Sequence, residues 1–214
     1  MPVQFKEAIV ILGKEPIPGM VKTRLAKDIG DHKAAQIQVQ LLMHMLEVLE
    51  DIKCPVILQL KGDTEGDFAR TCRQKGVLVE EQVEGSLTEK IFWASRQARR
   101  TLVLGMDMPL LNIKELRLAL QRTDIVLGPA EDGGYWLIGG EDIPMDILDG
   151  IPWSTDEVWK KTIAKCKDLG IQYHVLSRQQ DIDTLSDVHS LLSNPLCPPQ
   201  LRTHIQSILN NPSS

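Results

Sequence analysis

Thr101-Leu102-Val103-Leu104-Gly105-Met106-Asp107-Met108-Pro109-Leu110-Leu111 is the stretch that decides the fold. Thr101 to Leu104 carry no charge and read as a short strand buried on both faces, as in a parallel sheet. Gly105 permits a turn or a close backbone approach, and Pro109 stops the ladder. Asp107 therefore stands where the strand runs out. Ligands of open α/β sheets bind at the carboxyl ends of strands, and a carboxylate flanked by Met106 and Met108 is no ordinary surface charge. Two roles compete for it. It is a ligand for a hard cation, Mg²⁺ or Mn²⁺, shared with phosphates, or it caps the helix that starts near Asn112. Asn112 is itself a good cap, which favours the ligand role.

Working outward toward the amino terminus, Ala8 to Leu12 is a first buried strand. Gly13 follows, then a loop from Lys14 to Arg24 with two prolines and one glycine, Gly19. The loop gathers Lys14, Lys22 and Arg24 at a strand's carboxyl end, a phosphate-binding arrangement. Its spacing is not that of a Walker A loop. The alternative is a solvated loop with scattered cations. Lys33 to Glu50 shows helical spacing of apolar residues. Pro55 to Leu60 is a second strand, Thr64 to Lys75 a helix, and Val77 to Val83 a third, more exposed strand. Ser86 and Glu89 have capping-box spacing at the start of the next helix, and Lys90 in its first turn is able to reach a ligand.

Beyond Asp107, the sequence predicts a helix over Ile113–Gln121 and a strand over Asp124–Leu127. Asp132-Gly133-Gly134 then makes a turn, and Tyr135 to Ile138 a strand. The paired glycines beside a carboxylate also suit backbone amides lining an acceptor or nucleotide pocket, with Trp153 a further candidate wall. Ser154 or Thr155 is expected to cap a helix over Asp156–Leu169. Ile171 to Leu176 is a late strand. Thr184, with Asp187, caps a helix over Leu185–Leu192, leaving Asp183 just before a helix start. A last helix spans Gln200 to Leu209.

Alternating strands and helices predict an α/β fold with a single doubly wound, mainly parallel sheet, residues 1–214 forming one domain. The 214 residues, 43% hydrophobic and 25% charged, suffice for a sizeable core. A net charge of −5 argues against a nucleic-acid partner. No apolar run is long enough for a membrane span, and Met1 to Lys6 lacks signal-peptide organisation. Cys54, Cys72, Cys166 and Cys197 are scattered, so reduced structural thiols and a cytoplasmic location are expected.

Read in order, Pro18-Gly19-x-x-Lys22-Thr23-Arg24-Leu25, Gly105-x-Asp107-x-Pro109, Gly128-Pro129-Ala130-x-Asp132-Gly133-Gly134-Tyr135, Trp153-Ser154-Thr155 and Asp181-Ile182-Asp183-Thr184 resemble a known family. It is the bacterial family of provisionally assigned glycosyltransferases in the nucleotide-diphospho-sugar transferase (GT-A-like, Rossmann-like) superfamily. Molybdenum-cofactor and phospholactate guanylyltransferases are more distant relatives. The resemblance implies Asp107 and Asp183 as metal ligands, and Lys22 and Arg24 as phosphate contacts. It departs from the family pattern at Met106, Met108, Thr88 and Lys90. The expectation is a metal-dependent transferase using a nucleotide-activated donor. Gly13, Lys14, Gly19, Lys22, Arg24 and Lys90 would hold the donor. Asp132, Gly133, Gly134, Tyr135 and Trp153 would face the acceptor, with Asp132 and Lys22 catalytic. Nucleotidyl transfer from an NTP and a non-catalytic nucleotide-binding module are the alternatives. Two carboxylates brought together at Asp107 and Asp183 would repel unless a cation lay between them.

Overall fold

The computed structural model describes residues 5–211. Met1–Gln4, most of the stretch read for a signal peptide, lies outside them. The strands are β1 (Phe5–Lys14), β2 (Val56–Lys61), β3 (Leu78–Glu81), β4 (Ala98–Gly105), β5 (Ile125–Pro129), β6 (Tyr135–Glu141) and β7 (Tyr173–Val175). They form one sheet in the order β3-β2-β1-β4-β6-β5-β7. β1 pairs in parallel with β2 and β4, β2 with β3, and β5 with β7. β6 alone is antiparallel to both of its neighbours. The sheet is thus mainly parallel, and β6 returns through the tight turn after β5, where the Ala130 amide donates to the Gly134 carbonyl.

The apolar runs explain the layering. β1 sends Ile9 and Ile11 to one face and Ala8 and Val10 to the other, all fully buried. The first face is covered by α2 (Asp31–Leu49), α3 (Asp67–Gln74) and α5 (Ile113–Leu120), through Leu42, Met45, Cys72 and Leu116. The second is covered by α4 (Leu87–Ala94) and α6 (Val158–Asp168), through Ile91, Ala94 and Cys166. Each large apolar side chain so buried contributes roughly 1.5–3 kcal/mol. α1 (Thr23–Ile29), α7 (Leu185–Ser193) and α8 (Pro199–Asn210) add a third cluster against α2, around Leu25, Leu41, Val188 and Ile205.

Two local expectations need correction. The stretch read as loop through Arg24 turns helical at Thr23, because Leu25 and Ile29 find an apolar partner in the third cluster. Neither Ser154 nor Thr155 caps α6. Its N-cap is Glu157, without a side-chain bond, while Thr155 Oγ1 accepts from the Glu157 amide at 3.3 Å. The thiols are free, and burial pushes Cys54 and Cys72 up to about 11. No helix among the described residues is long and apolar enough to cross a membrane.

Candidate functional site

β1 and β4 are neighbours, yet the chain proceeds from β1 toward β2 and β3 and from β4 toward β6, β5 and β7. That is a topological switch point, where the connections leave in opposite directions and open a crevice. All strands but β6 end at the same edge, and the β5–β6 turn carrying Asp132 lies there too. A cleft of about 510 Å³ occupies this edge, lined by Gly13, Lys14, Lys22, Lys90, Asp107 and Asp183 among others.

Capping does not account for either candidate metal carboxylate. Asn112 Oδ1 accepts from the amides of Lys114 and Glu115 and caps α5, leaving Asp107 free of that role. Thr184 and Asp187 form the complete capping box of α7, leaving Asp183 outside it. After β7 the chain crosses back over the strand ends, and the Ile182 amide donates to the Asp107 carbonyl at 3.2 Å. This bond brings two residues 76 positions apart in the chain (107 and 183) to the same cleft.

Each carboxylate has its own cation. The Lys22 ammonium lies 2.8 Å from Asp107 Oδ1, and Arg24 Nη1 lies 3.0 Å from Asp183 Oδ2. The two pairs differ in setting. Lys22 is buried and also donates to the Ile182 carbonyl, whereas the Arg24 side chain is 72% exposed at the rim. Arg24 therefore reaches Asp183 and does not line the cleft itself. Asp183, by hydrogen bond and charge, raises the Arg24 guanidinium above its ordinary value. The expected repulsion between the carboxylates is thus offset by protein cations. Lys14 donates its ammonium to the Met20 carbonyl and fixes the loop at 2.8 Å. Gly19 serves that loop through its left-handed backbone, φ 79°, and is not a cleft residue.

A second hollow of about 320 Å³ adjoins the first, sharing Leu12, Leu87 and Gly105 with it. Asp132, Gly134, Tyr135 and Trp153 line it. Asp132 Oδ1 accepts from the Gly134 amide at 2.9 Å, which shapes the turn. Gly133 acts from behind. At φ 90° its added Cβ would sit 2.5 Å from the Asp156 backbone, so only glycine fits. Tyr135 and Trp153 meet edge to face at 5.7 Å. Thr88 explains its own presence: its hydroxyl accepts from Trp153 Nε1 and donates to the Leu148 carbonyl, both at 2.9 Å.

The donor set suits Mg²⁺ or Mn²⁺. Asp107 and Asp183 are each about one-third exposed toward the cleft, and Asp107 Oδ1 is buried with no in-line hydrogen-bond donor. Mg²⁺ takes one or two protein carboxylates and leaves its other positions to water and phosphate. Among the described residues, no group of three or more His, Cys, Asp or Glu side chains is arranged around one ion position.

Four further residues bear on the site, and the sequence reading gave none of them a role. Lys61 ends β2 and lines the cleft, a position the strand-end rule would have flagged. Gln38 is a buried amide on the otherwise apolar face of α2, donating to the Lys14 carbonyl and Met106 Sδ. Gln82 donates to the Gln59 carbonyl. Asp181 is held above the ordinary carboxylate range by burial and by the nearby Asp132.

A family model described as "Uncharacterized protein conserved in bacteria (DUF2064)" matches residues 44–155. No curated protein matches the sequence. A solved structure from Desulfovibrio desulfuricans G20, provisionally described as a nucleotide-diphospho-sugar transferase, superposes with a TM-score of 0.85 at 24% identity over 95% of each chain. The inositol-1-phosphate CTP transferase from T. maritima gives 0.53 at 13% identity over 98% of each chain. CTP:phosphocholine cytidylyltransferase from Streptococcus pneumoniae gives 0.52 at 14%, covering 87% of this chain and 98% of that one. At these identities the similarity defines the fold, that of the nucleotide-diphospho-sugar transferases.

Proposed function

The chain belongs to the bacterial family whose model spans residues 44–155, and we propose that it is an enzyme: a metal-dependent transferase that uses a nucleotide-activated donor. Glycosyl transfer from a nucleotide-diphospho-sugar is the primary reading. The observation that carries it is the joining of Asp107 and Asp183 at one cleft, with lysines on the same walls. Asp107 and Asp183 would hold Mg²⁺ or Mn²⁺. The ion, when bound, neutralises charge on the diphosphate and so eases departure of the nucleotide.

The protein groups do the rest. Lys22, Lys14 and Lys90 present ammonium groups to the phosphates. Charge placed in advance where negative charge develops is commonly the largest catalytic contribution. Arg24 adds a cation at the rim. The walls at Tyr135 and Trp153 orient the acceptor beside the donor and exclude water. Asp132 sits at that wall and takes the acceptor's proton.

Nucleotidyl transfer is the second reading. Lys14, Lys22, Lys61 and Lys90 all line the cleft, and four ammonium groups suit a triphosphate joined by a phosphorylated acceptor. The fold's occurrence in cytidylyltransferases is compatible with it. We take residues 1–214 to act as one domain, in the cytoplasm, on small molecules. The test is a thermal-shift panel of nucleotide-diphospho-sugars and NTPs with and without Mn²⁺, followed by turnover assays on the hits. Metal-dependent stabilisation with sugar release to an acceptor supports glycosyl transfer, and pyrophosphate release supports nucleotidyl transfer. No metal-dependent stabilisation by any of them rejects both.

A further inference from the structure

We propose that Lys22 competes internally with the metal. In the ligand-free protein its ammonium holds the cation position at Asp107, and it releases that position when a nucleotide phosphate engages it. The inference rests on the metal-and-nucleotide reading above and adds an order of events to it.

The contacts argue for the exchange. The Lys22 side chain is 3% exposed, and its ammonium lies against Asp107 Oδ1 while donating to the Ile182 carbonyl. Its backbone is left-handed at φ 46° and ψ 40°, a conformation a lysine seldom adopts. The surroundings therefore hold it there. A divalent ion on Asp107 Oδ1 would stand within contact distance of the ammonium, and like charges that close repel. Metal alone must bind Asp107 against that charge or displace it, so its binding is weak. One N–H donates to the Ile182 carbonyl, the ammonium meets Asp107 as an ion pair, and Lys22 lines the cleft, so it has N–H groups left for an incoming phosphate. A phosphate gives the ammonium a second anionic partner and draws it from Oδ1. Asp107 is then open to the ion that the same phosphate brings. Nucleotide and metal must therefore bind cooperatively, with Lys22 as the coupling element.

The test measures Mn²⁺ binding alone, by titration calorimetry or by loss of the free-ion spin-resonance signal. The samples are wild type, Lys22→Met and Lys22→Arg, each without nucleotide. Lys22→Met keeps an apolar stem and removes the charge. It should bind Mn²⁺ on the order of tenfold or more tightly than wild type, within the usual range of such couplings. Lys22→Arg keeps the charge and should bind as weakly as wild type. Where Lys22→Met misfolds, Lys22→Asn replaces it, since Asn tolerates the left-handed backbone. A neutral variant binding Mn²⁺ no more tightly than wild type overturns the inference, as does Lys22→Arg binding like the neutral variant. A parallel arm adds the best nucleotide of the panel to wild type. Metal-dependent nucleotide binding there with no effect of the neutral variant defeats the inference alone. Its absence defeats the metal reading as well.

Discussion

Asp107→Asn should destabilise the ligand-free protein and abolish its stabilisation by Mn²⁺ with nucleotide. The sign follows from the pair with Lys22. Simple repulsion between Asp107 and Asp183 would make the substitution neutral or favourable, but the carboxylate faces a buried ammonium at 2.8 Å. Removing one partner of a fully buried pair costs about 3–5 kcal/mol. The Asp107 side chain is 35% exposed, so water screens it. Asn still offers an oxygen, and Lys22 keeps the Ile182 carbonyl. The expected loss is therefore about 1–2 kcal/mol, well below that of a fully buried pair. For a chain of this size that lowers Tm by about 2–8 °C. Wild type with Mn²⁺ and nucleotide at about 100 times Kd should gain about 2.7 kcal/mol, and the variant almost nothing. Melting curves of both proteins, with and without ligands, read all four values. An unchanged or raised Tm without ligand refutes the energetics of the pair. A full ligand gain in the variant refutes Asp107 as a metal ligand.

Arg24→Ala removes an exposed pair, so stability should stay nearly unchanged while calorimetry shows weaker nucleotide binding. Unchanged affinity would remove Arg24 from the site. Gly133→Ala puts a Cβ against the Asp156 backbone at a left-handed position and should cost about 2–4 kcal/mol, read by denaturant unfolding. Thr88→Val keeps the shape and deletes both hydroxyl bonds. It should cost about 1–3 kcal/mol and shift tryptophan fluorescence as Trp153 loosens. Arg122 holds Asp124 below the ordinary carboxylate range through its side-chain hydrogen bonds. A depressed carboxylate stabilises above its unfolded value and loses that contribution as pH falls through the folded one. Asp124→Asn should therefore cost up to about 1 kcal/mol at neutral pH and nothing in strong acid, compared by Tm.

The strands and helices were legible because this chain's periodicities are clean. β1 and β4 are unbroken apolar runs, and both capping boxes, Ser86–Glu89 and Thr184–Asp187, form as their spacing predicts. α1 was not legible. Its seven residues carry only one fully buried side chain, Leu25, and a loop rich in Pro and Gly precedes it. The antiparallel course of β6 follows from the Asp132–Gly134 turn, yet its insertion between β4 and β5 is a choice of partner that no local pattern encodes. At the site, strand-end logic located Asp107 and the basic loop. It did not foresee that Lys22 would spend its charge inside the protein on Asp107. That contact depends on the return path after β7, through the Ala130–Gln179 bridge and the Ile182–Asp107 bond. Gln38 and the half-buried Gln82 escaped because an amide of this kind is recognised by the carbonyls it reaches, which only the folded chain supplies.

The mixture of charges along the carboxyl edge itself narrows the ligand. Lys14, Lys22, Lys61 and Lys90 share one cleft with Asp107 and Asp183. A free anion entering there meets two carboxylates, and a free divalent cation meets four ammonium groups. Each alone must displace or tolerate like charge at close range, which costs binding energy. Under the proposed function a metal–nucleotide complex would present both signs at once, a cation for the aspartates and phosphate oxygens for the lysines. The same residues then favour the complex over either component. Electrostatic selection of this kind works by penalising the wrong partner as much as by attracting the right one. On the proposed function, a chain with a net charge of −5 would in this way hold a polyanion at one edge while the rest of its surface repels it.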